Sequence, residues 1–485
     1  MSTVFILMII VMIASVVSGW VLRNNRSVCT VVPSFMFMLL ILSVMFCYPI
    51  LNGETVDDGV FYVDSLSCVF IMLVTIIGSF ASLYSRAYIG LELDEGKIEN
   101  REHGFYYVLM AAFISIMVLT FTVRSMAIVW IGVGATTIVS TFLVGFYHND
   151  EATEASWKYI ILCSVGITLA LAGMTLVYAA SLGSIDSDSA FDWPALMAVA
   201  DSLDPTMMKM AMVLIIIGFG TKVGFAPLHS WLPDAHSQAP SPVSGLLSAV
   251  LLNCAMYAIL RFYAVSEITI PGFASSMLFI FGFISLGVAA FFIITSKDLK
   301  RMLAYSSIEN MGLIAIGFGI GTPLAITAAI IQMVAHSITK PILFFSAGNI
   351  IQSYGTRNMN EIRGVSKKLP LTSFFMAAGT LAIIGVPPFA VFIGELDLIL
   401  ASLDSTIYGA TVLLIILLSI VSAGFVRHVF PMISGDTDKD IDPHNSYCRY
   451  VPILFLLMCS LIVGLFMPDT VNQWLDNVVS LFGAI

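Results

Sequence analysis

Long apolar runs separated by short polar joints make up most of this chain. A helix needs about 20 largely apolar residues to cross a bilayer, and 14 such runs can be marked off: 4–22, 31–48, 66–84, 104–122, 126–147, 159–180, 206–231, 242–263, 272–295, 302–319, 323–348, 370–401, 407–430 and 451–467. Lipid cannot satisfy free backbone polar groups, and runs this long do not read as barrel strands. The pattern therefore predicts an all-α polytopic membrane protein of about 14 transmembrane helices. The first run lacks a basic leader and a small-residue cleavage site, so it is expected to be a retained helix.

Composition agrees with this reading. Of 485 residues, 59% are hydrophobic and only 11% charged, where soluble domains carry about 25% charged residues. The net charge of −10, with no basic run, gives no footing for nucleic acid. Seven cysteines are scattered and form no C-x-x-C pair, which argues against zinc or an iron–sulfur cluster. No histidine pairing suggests haem. No cofactor or metal is expected in this chain, and any electron transfer would belong to a partner.

Basic residues test the span count. With the N-terminus outside, 16 basic residues fall on the inner side (Arg23, Arg26, Arg86, Lys97, Arg101, Lys158, Lys297, Lys300, Arg301, Arg357, Arg363, Lys367, Lys368, Arg427, Lys439 and Arg449) and 3 on the outer side (Arg124, Lys209 and Arg261). Such an asymmetry places both termini on the periplasmic or outer side of a cytoplasmic membrane. Lys222 and Lys340 remain within apolar runs.

Two features repeat five spans apart. The sixth span opens with Lys158, Ile160, Ser164 and Gly166; Lys340, Ile342, Ser346 and Gly348 recur in the same relative places in the eleventh. An odd spacing gives the copies opposite topology, as in transporters built from inverted repeats. The seventh and twelfth spans are long and interrupted, by Gly218 to Pro227 and by Gly385 to Pro388. Proline and glycine favour a break there, and paired broken helices point to an ion path. The expected organisation is helices one to three in 1–103, a first five-helix inverted repeat in 104–265, a second in 266–432, and a loop with helix 14 in 433–485.

Charges inside a bilayer cost about 2.5–3.5 kcal/mol on insertion scales and are functional candidates. Lys222, Glu309, His336, Lys340 and Glu395 stand out, with Asp397 two residues beyond the last. Lys222 sits beside the first break and Glu395 follows the second. His336 and Lys340, four apart, share a helix face. A desolvated lysine whose acid partner moves changes its proton occupancy, so such a row suits proton transfer; buried salt bridges that fix packing are the plainer alternative. Trp231, Pro233, Asp234 and His236 read as an ordered loop, and Asp298, Lys300 and Arg301 as a cytoplasmic anchor.

The stretch from Phe219 to His236, with Lys222, Pro227, His229, Trp231 and Asp234, then Ala239 to Ser244, resembles the antiporter-like subunits of respiratory complex I, of Mrp cation/proton antiporters and of group 4 membrane-bound hydrogenases. Asp298 to Gly312 and His336 to Lys340 carry the same resemblance, which spans about 105–430. The form Ser306-Ser307-Ile308-Glu309, with Leu252-Asn253, is most similar to component F of hydrogenase-4. The resemblance implies a 14-helix core with inverted repeats, and a polar axis in which Lys222, His336, Lys340 and Glu395 transfer protons. Glu309 joins them by position; Lys158, His229 and Asp397 are secondary candidates. It also implies partner membrane subunits and a peripheral soluble module. The chain stops after helix 14, without the lateral helix of the most distal complex I subunit. One departure stands out: Gly134 occupies the place of the usual fifth-helix glutamate, leaving Lys222 without its partner, and Asn253 stands where some relatives have lysine.

The expected function is proton conduction driven by a partner's redox reaction, with no catalysis by this chain alone. Sodium/proton exchange, ion-driven inorganic-carbon uptake and a non-conducting scaffold are the alternatives.

Overall fold

The structure, a computed structural model, describes residues 3–437, 441, 443–444 and 446–483; Lys439 lies outside the described residues. Thirteen helices in it are long and apolar enough to cross a membrane. The remaining expected crossing is the twelfth, which is split into Pro370–Ile383 and Ala390–Asp404. Together these reproduce the expected helical bundle.

Both expected breaks are present. The seventh span runs as Pro205–Val223 and resumes as the short helix Trp231–Gln238. Gly224, at φ 87°, ends the first half in a left-handed turn that a residue with a Cβ resists. Irregular backbone at membrane depth survives only where protein satisfies it. Here the Trp231 indole donates to Thr221 O at 2.8 Å, and Ser285 Oγ of the ninth span accepts from Ala226 N at 2.9 Å. In the twelfth, the turn closes on itself through Val386 N to Leu381 O at 3.0 Å.

Several elements differ from the sequence pattern. The sixth helix starts at Asp150 and runs to Ser181, because Asn149 caps it by accepting from Ala152 N at 2.7 Å. Its 32 residues reach about 48 Å, beyond a hydrocarbon core of about 30 Å. Lys158 is therefore two turns inside a helix that projects from the bilayer. The third and eleventh helices, Ser65–Asp94 and Pro323–Tyr354, are extended likewise. A two-stranded hairpin, Val56–Asp57 with Tyr62–Val63, joins the second and third spans. After the fourteenth span, Tyr447–Leu465, an amphipathic helix Asp469–Val479 is pinned to the end of the second by Asn477 to Leu51 O at 2.7 Å.

Arg261, counted on the outer side, is not a solvated charge there. It is buried and grips Asp64 through two bonds of 2.6 and 2.8 Å, while Asp64 also caps the third helix at Ser67 N, 3.0 Å away. Its guanidinium lies 4.3 Å from the Trp193 ring centroid. Burial of one charge is offset here by a bidentate partner.

Candidate functional site

Lys222 sits at the last turn before the first break, fully buried. The sixth and seventh helices touch backbone to backbone one turn earlier: a Cβ on Gly218 would stand 2.4 Å from Ala170 N. That close approach delivers the Lys222 amine to hydroxyls. It donates to Thr137 Oγ1 of the fifth span and to Tyr159 Oη of the sixth at 3.3 Å, and Tyr159 in turn pairs with Ser140 Oγ at 2.7 Å. Among the described residues no carboxylate forms an ion pair with it. Gly134, on the half-buried side of the fifth span, has no heavy atom within 4 Å of where a Cβ would be.

The eighth span, Ser241–Thr269, is distorted by a π-helical turn at Leu247–Leu251. Wide turns of this type free carbonyls from the helix ladder and recur at functional sites. Ser248 O meets His336 Nε2 at 3.2 Å, and Ala249 O accepts from Ser337 Oγ at 2.8 Å. Asn253 donates to Ser337 Oγ at 2.7 Å, so an amide joins the eighth span to the eleventh, one turn from Lys340. Asn253 Oδ1 and His336 Nδ1 are buried with no hydrogen-bond partner among the described residues.

Lys340 donates to Leu303 O at 2.7 Å and to Ser306 Oγ. Ser306 and Glu309 lie on the same face of the tenth span, Leu299–Ile320, three residues apart. Glu309 stands within electrostatic reach of both Lys340 and Glu395, yet makes no direct ion pair with Lys340. One of its oxygens takes a long contact from Asn310 Nδ2 at 3.4 Å; the other, Oε1, has no partner among the described residues. Asn310 Oδ1 accepts from Gln332 Nε2 at 2.7 Å. Glu395 is half-buried at a cleft of about 460 Å³ lined also by Gly385, Ser419 and Ser422. The structure thus gathers Glu309, His336, Lys340 and Glu395 into one column, while Lys222 has its own partners on the fifth and sixth spans.

The secondary candidates lie elsewhere. Lys158 is half-exposed and pairs with Glu154 at 2.6 Å and Asp234 at 3.2 Å; Asp234 also binds Arg301. It does not share the environment of Lys340, its counterpart in the short sequence match. His229 is half-buried in the first break, with its ring 6.3 Å from Tyr305. Asp397 is about 200° around its helix from Glu395. Three further groups escaped the sequence reading. Lys300 is no surface anchor: it is 4% exposed and donates to Ala239 O. His236 is fully buried, with neither ring nitrogen partnered among the described residues. Glu92, near the end of the third helix, is 5% exposed.

Residues 123–425 match the transmembrane family described as NADH:quinone oxidoreductase/Mrp antiporter. The chain belongs to this family. Residues 58–97 also match the N-terminus of chain 5 of NADH-ubiquinone oxidoreductase (complex I). Within the NADH:quinone oxidoreductase/Mrp antiporter family, the chain is 35% identical over 419 residues to a hydrogenase-4 component F homolog of Methylacidiphilum infernorum (isolate V4), covering 86% of this chain and 87% of that one. It is 28% identical over 430 residues to NADH-quinone oxidoreductase subunit N of Desulforudis audaxviator, covering 85% and 83%. Its fold is that of a chain of the membrane-bound sulfane sulfur reductase, an archaeal respiratory membrane complex, with a TM-score of 0.88, 22% identity and coverage of 100% and 99%.

Proposed function

We propose that this chain is a proton-conducting, antiporter-like membrane subunit of an energy-converting complex. The observation that carries it is the Lys340–Glu309–Glu395 cluster: one amine and two carboxyls gathered in a lipid-embedded bundle without a direct ion pair. A structural salt bridge closes its charges into contact, since an unpaired buried charge is costly. These groups instead leave Glu309 Oε1 and His336 Nδ1 without partners among the described residues, and buried polar groups are otherwise satisfied by protein or ordered water. Bridged by ordered water, such a titratable column would pass protons.

The driving force comes from partners. The relatives named above are components of a hydrogenase and of an NADH-quinone oxidoreductase, so other membrane subunits and a peripheral redox module are the proposed company, and this chain does no redox chemistry alone. Moving one charge across 100 mV is worth about 2.3 kcal/mol, within reach of a modest redox span. The proposed location is the cytoplasmic membrane with both termini outside, supported by the 16-to-3 split of basic residues. Residues 104–265 and 266–432 are the proposed repeat halves. Protons are favoured over sodium because the column offers amine, imidazole and amide groups beside its carboxyls, where sodium prefers a cage of oxygens. Lys222, Glu309, His336, Lys340 and Glu395 are the proposed conducting residues.

The test is Lys340→Ala in the intact complex, reconstituted in vesicles with a pH-sensitive dye. Loss of translocation with assembly retained is expected; normal pumping overturns the reading. Lys222, held by hydroxyls beside the thiols of Cys163 and Cys254 and by no carboxylate among the described residues, favours a second reading for the first half, in which it senses charge and conducts less. Partial activity in Lys222→Met, against none in Lys340→Ala, is its signature.

A further inference from the structure

The inner-face end of the bundle holds a second polar site outside the column. A cleft of about 310 Å³ is lined by Glu92, Lys97, Tyr147, Lys300, Gln352 and Arg357, among others. Two of these are almost fully buried charges, Glu92 and Lys300. Glu92 Oε1 accepts from Tyr147 Oη at 2.7 Å and from Gln352 Nε2 at 3.3 Å, while Oε2 has no partner among the described residues. Lys300 donates to Ala239 O and is within electrostatic reach of Glu92, Asp298 and Arg357, without a direct ion pair to any of them. A packing salt bridge brings its partners together; these two are held apart by a cleft with room for several waters.

The cleft continues inward through the chain itself. Ser237 and Gln238 line it, and the adjacent residue of the same short helix is His236. That ring stacks on Phe344 at 5.2 Å with both nitrogens unpartnered among the described residues. Lys300, Lys340 and His336 all lie within electrostatic reach of the ring. An imidazole can take a proton on one nitrogen and release one from the other. A surface anchor and a packing aromatic account for neither the burial of Lys300 nor an imidazole buried with no well-formed hydrogen bond among the described residues, its nearest polar neighbour being the Ser244 backbone.

We propose that the Glu92–Lys300 cleft is the site where hydronium from the inner aqueous phase enters, with His236 relaying its proton to Lys340. The proposal rests on the proton-conducting reading. A proton leaves hydronium for the Glu92 carboxylate and passes through cleft water to the Lys300 amine. The Lys300 ammonium protonates one His236 nitrogen, and the opposite nitrogen gives up its proton toward Lys340. Glu92 and Lys300 return to their starting forms directly, while His236 is left as its other neutral tautomer and resets by rotation of its ring before the next proton enters.

The experiment uses the intact complex in vesicles, turned over by its natural reaction and read with a pH-sensitive dye. Glu92→Gln keeps the acceptor for Tyr147 and removes the titration; Lys300→Met removes the amine. Each is expected to lower translocation about tenfold or more, and Glu92→Asp is expected to restore much of it and to move the pH profile. Normal translocation in both, with Lys340→Ala inactive, overturns the cleft and leaves the conducting reading intact. Normal translocation in all three, Lys340→Ala included, overturns both. Gln238→Cys supplies a readout that needs no charge change. A membrane-impermeant maleimide applied at the inner face is expected to label it, above the background of the parent complex, and to block translocation. Labelling that leaves translocation unchanged, or no labelling from that face, overturns the proposal.

Discussion

Glu395 folds back over the second helix break so closely that a Cβ on Gly385 would stand 2.1 Å from its Oε2. Gly385 also sits at φ 67°, a left-handed backbone. The break and the carboxyl are therefore one unit: the turn leaves out a side chain, and the acid fills the space. Gly385→Ala is expected to displace Glu395 and to cost about 1–2 kcal/mol from the backbone conformation. Translocation should fall by more than the loss of assembled complex explains. Measuring both in the same vesicles decides it, and wild-type pumping per assembled complex counts against a role for the Glu395 position.

Gly134 offers the opposite case. Nothing crowds it, and glycine inside a helix costs about 0.5–1 kcal/mol relative to alanine. Gly134→Ala should leave the detergent-purified chain as stable as the parent or slightly more so, with a melting temperature that does not fall. A clear drop in a thermal melt contradicts the open geometry.

Asp64 and Arg261 make a prediction about folding. Removing one partner of a buried pair costs about 3–5 kcal/mol because the other charge stays behind. Asp64→Asn should therefore lower the yield of monodisperse protein after heating in detergent. Asp64→Asn combined with Arg261→Met should recover part of it, since the stranded cation is gone.

Lys158 is expected to be silent. It belongs to the half-exposed cluster with Glu154, Asp234 and Arg301, where solvent screens the charges. Lys158→Ala should translocate like the parent complex. A large loss of pumping would move this residue onto the proton path.

The spans and both breaks were legible because their causes are local: apolar length, and glycine and proline at fixed places. The intramembrane lysines stood out for the same reason, charge against an apolar background. Lys300 was not legible as a buried group, since a lysine at a helix start looks alike whether water or protein lies beyond it; Ala239 O and Arg357, which decide the matter, come from joints far away in the chain. His236 was hidden inside a polar motif, and Glu92 beyond the apolar limit of the third run. The π-helical turn had no sequence sign at all, because its effect on Ser248 O is felt only through His336 on another helix.

The hydroxyl cage of Lys222 has a consequence for communication across the bundle. A carboxylate in contact would dominate the local field and mask weaker influences. With none, a single charge gained or lost about 10 Å away changes the energy of the ammonium by about 1.7 kcal/mol at an effective dielectric constant of 20, more than a tenfold change in its protonation equilibrium constant. This end of the bundle is thereby built as an electrometer, answering to events in whatever stands beside it.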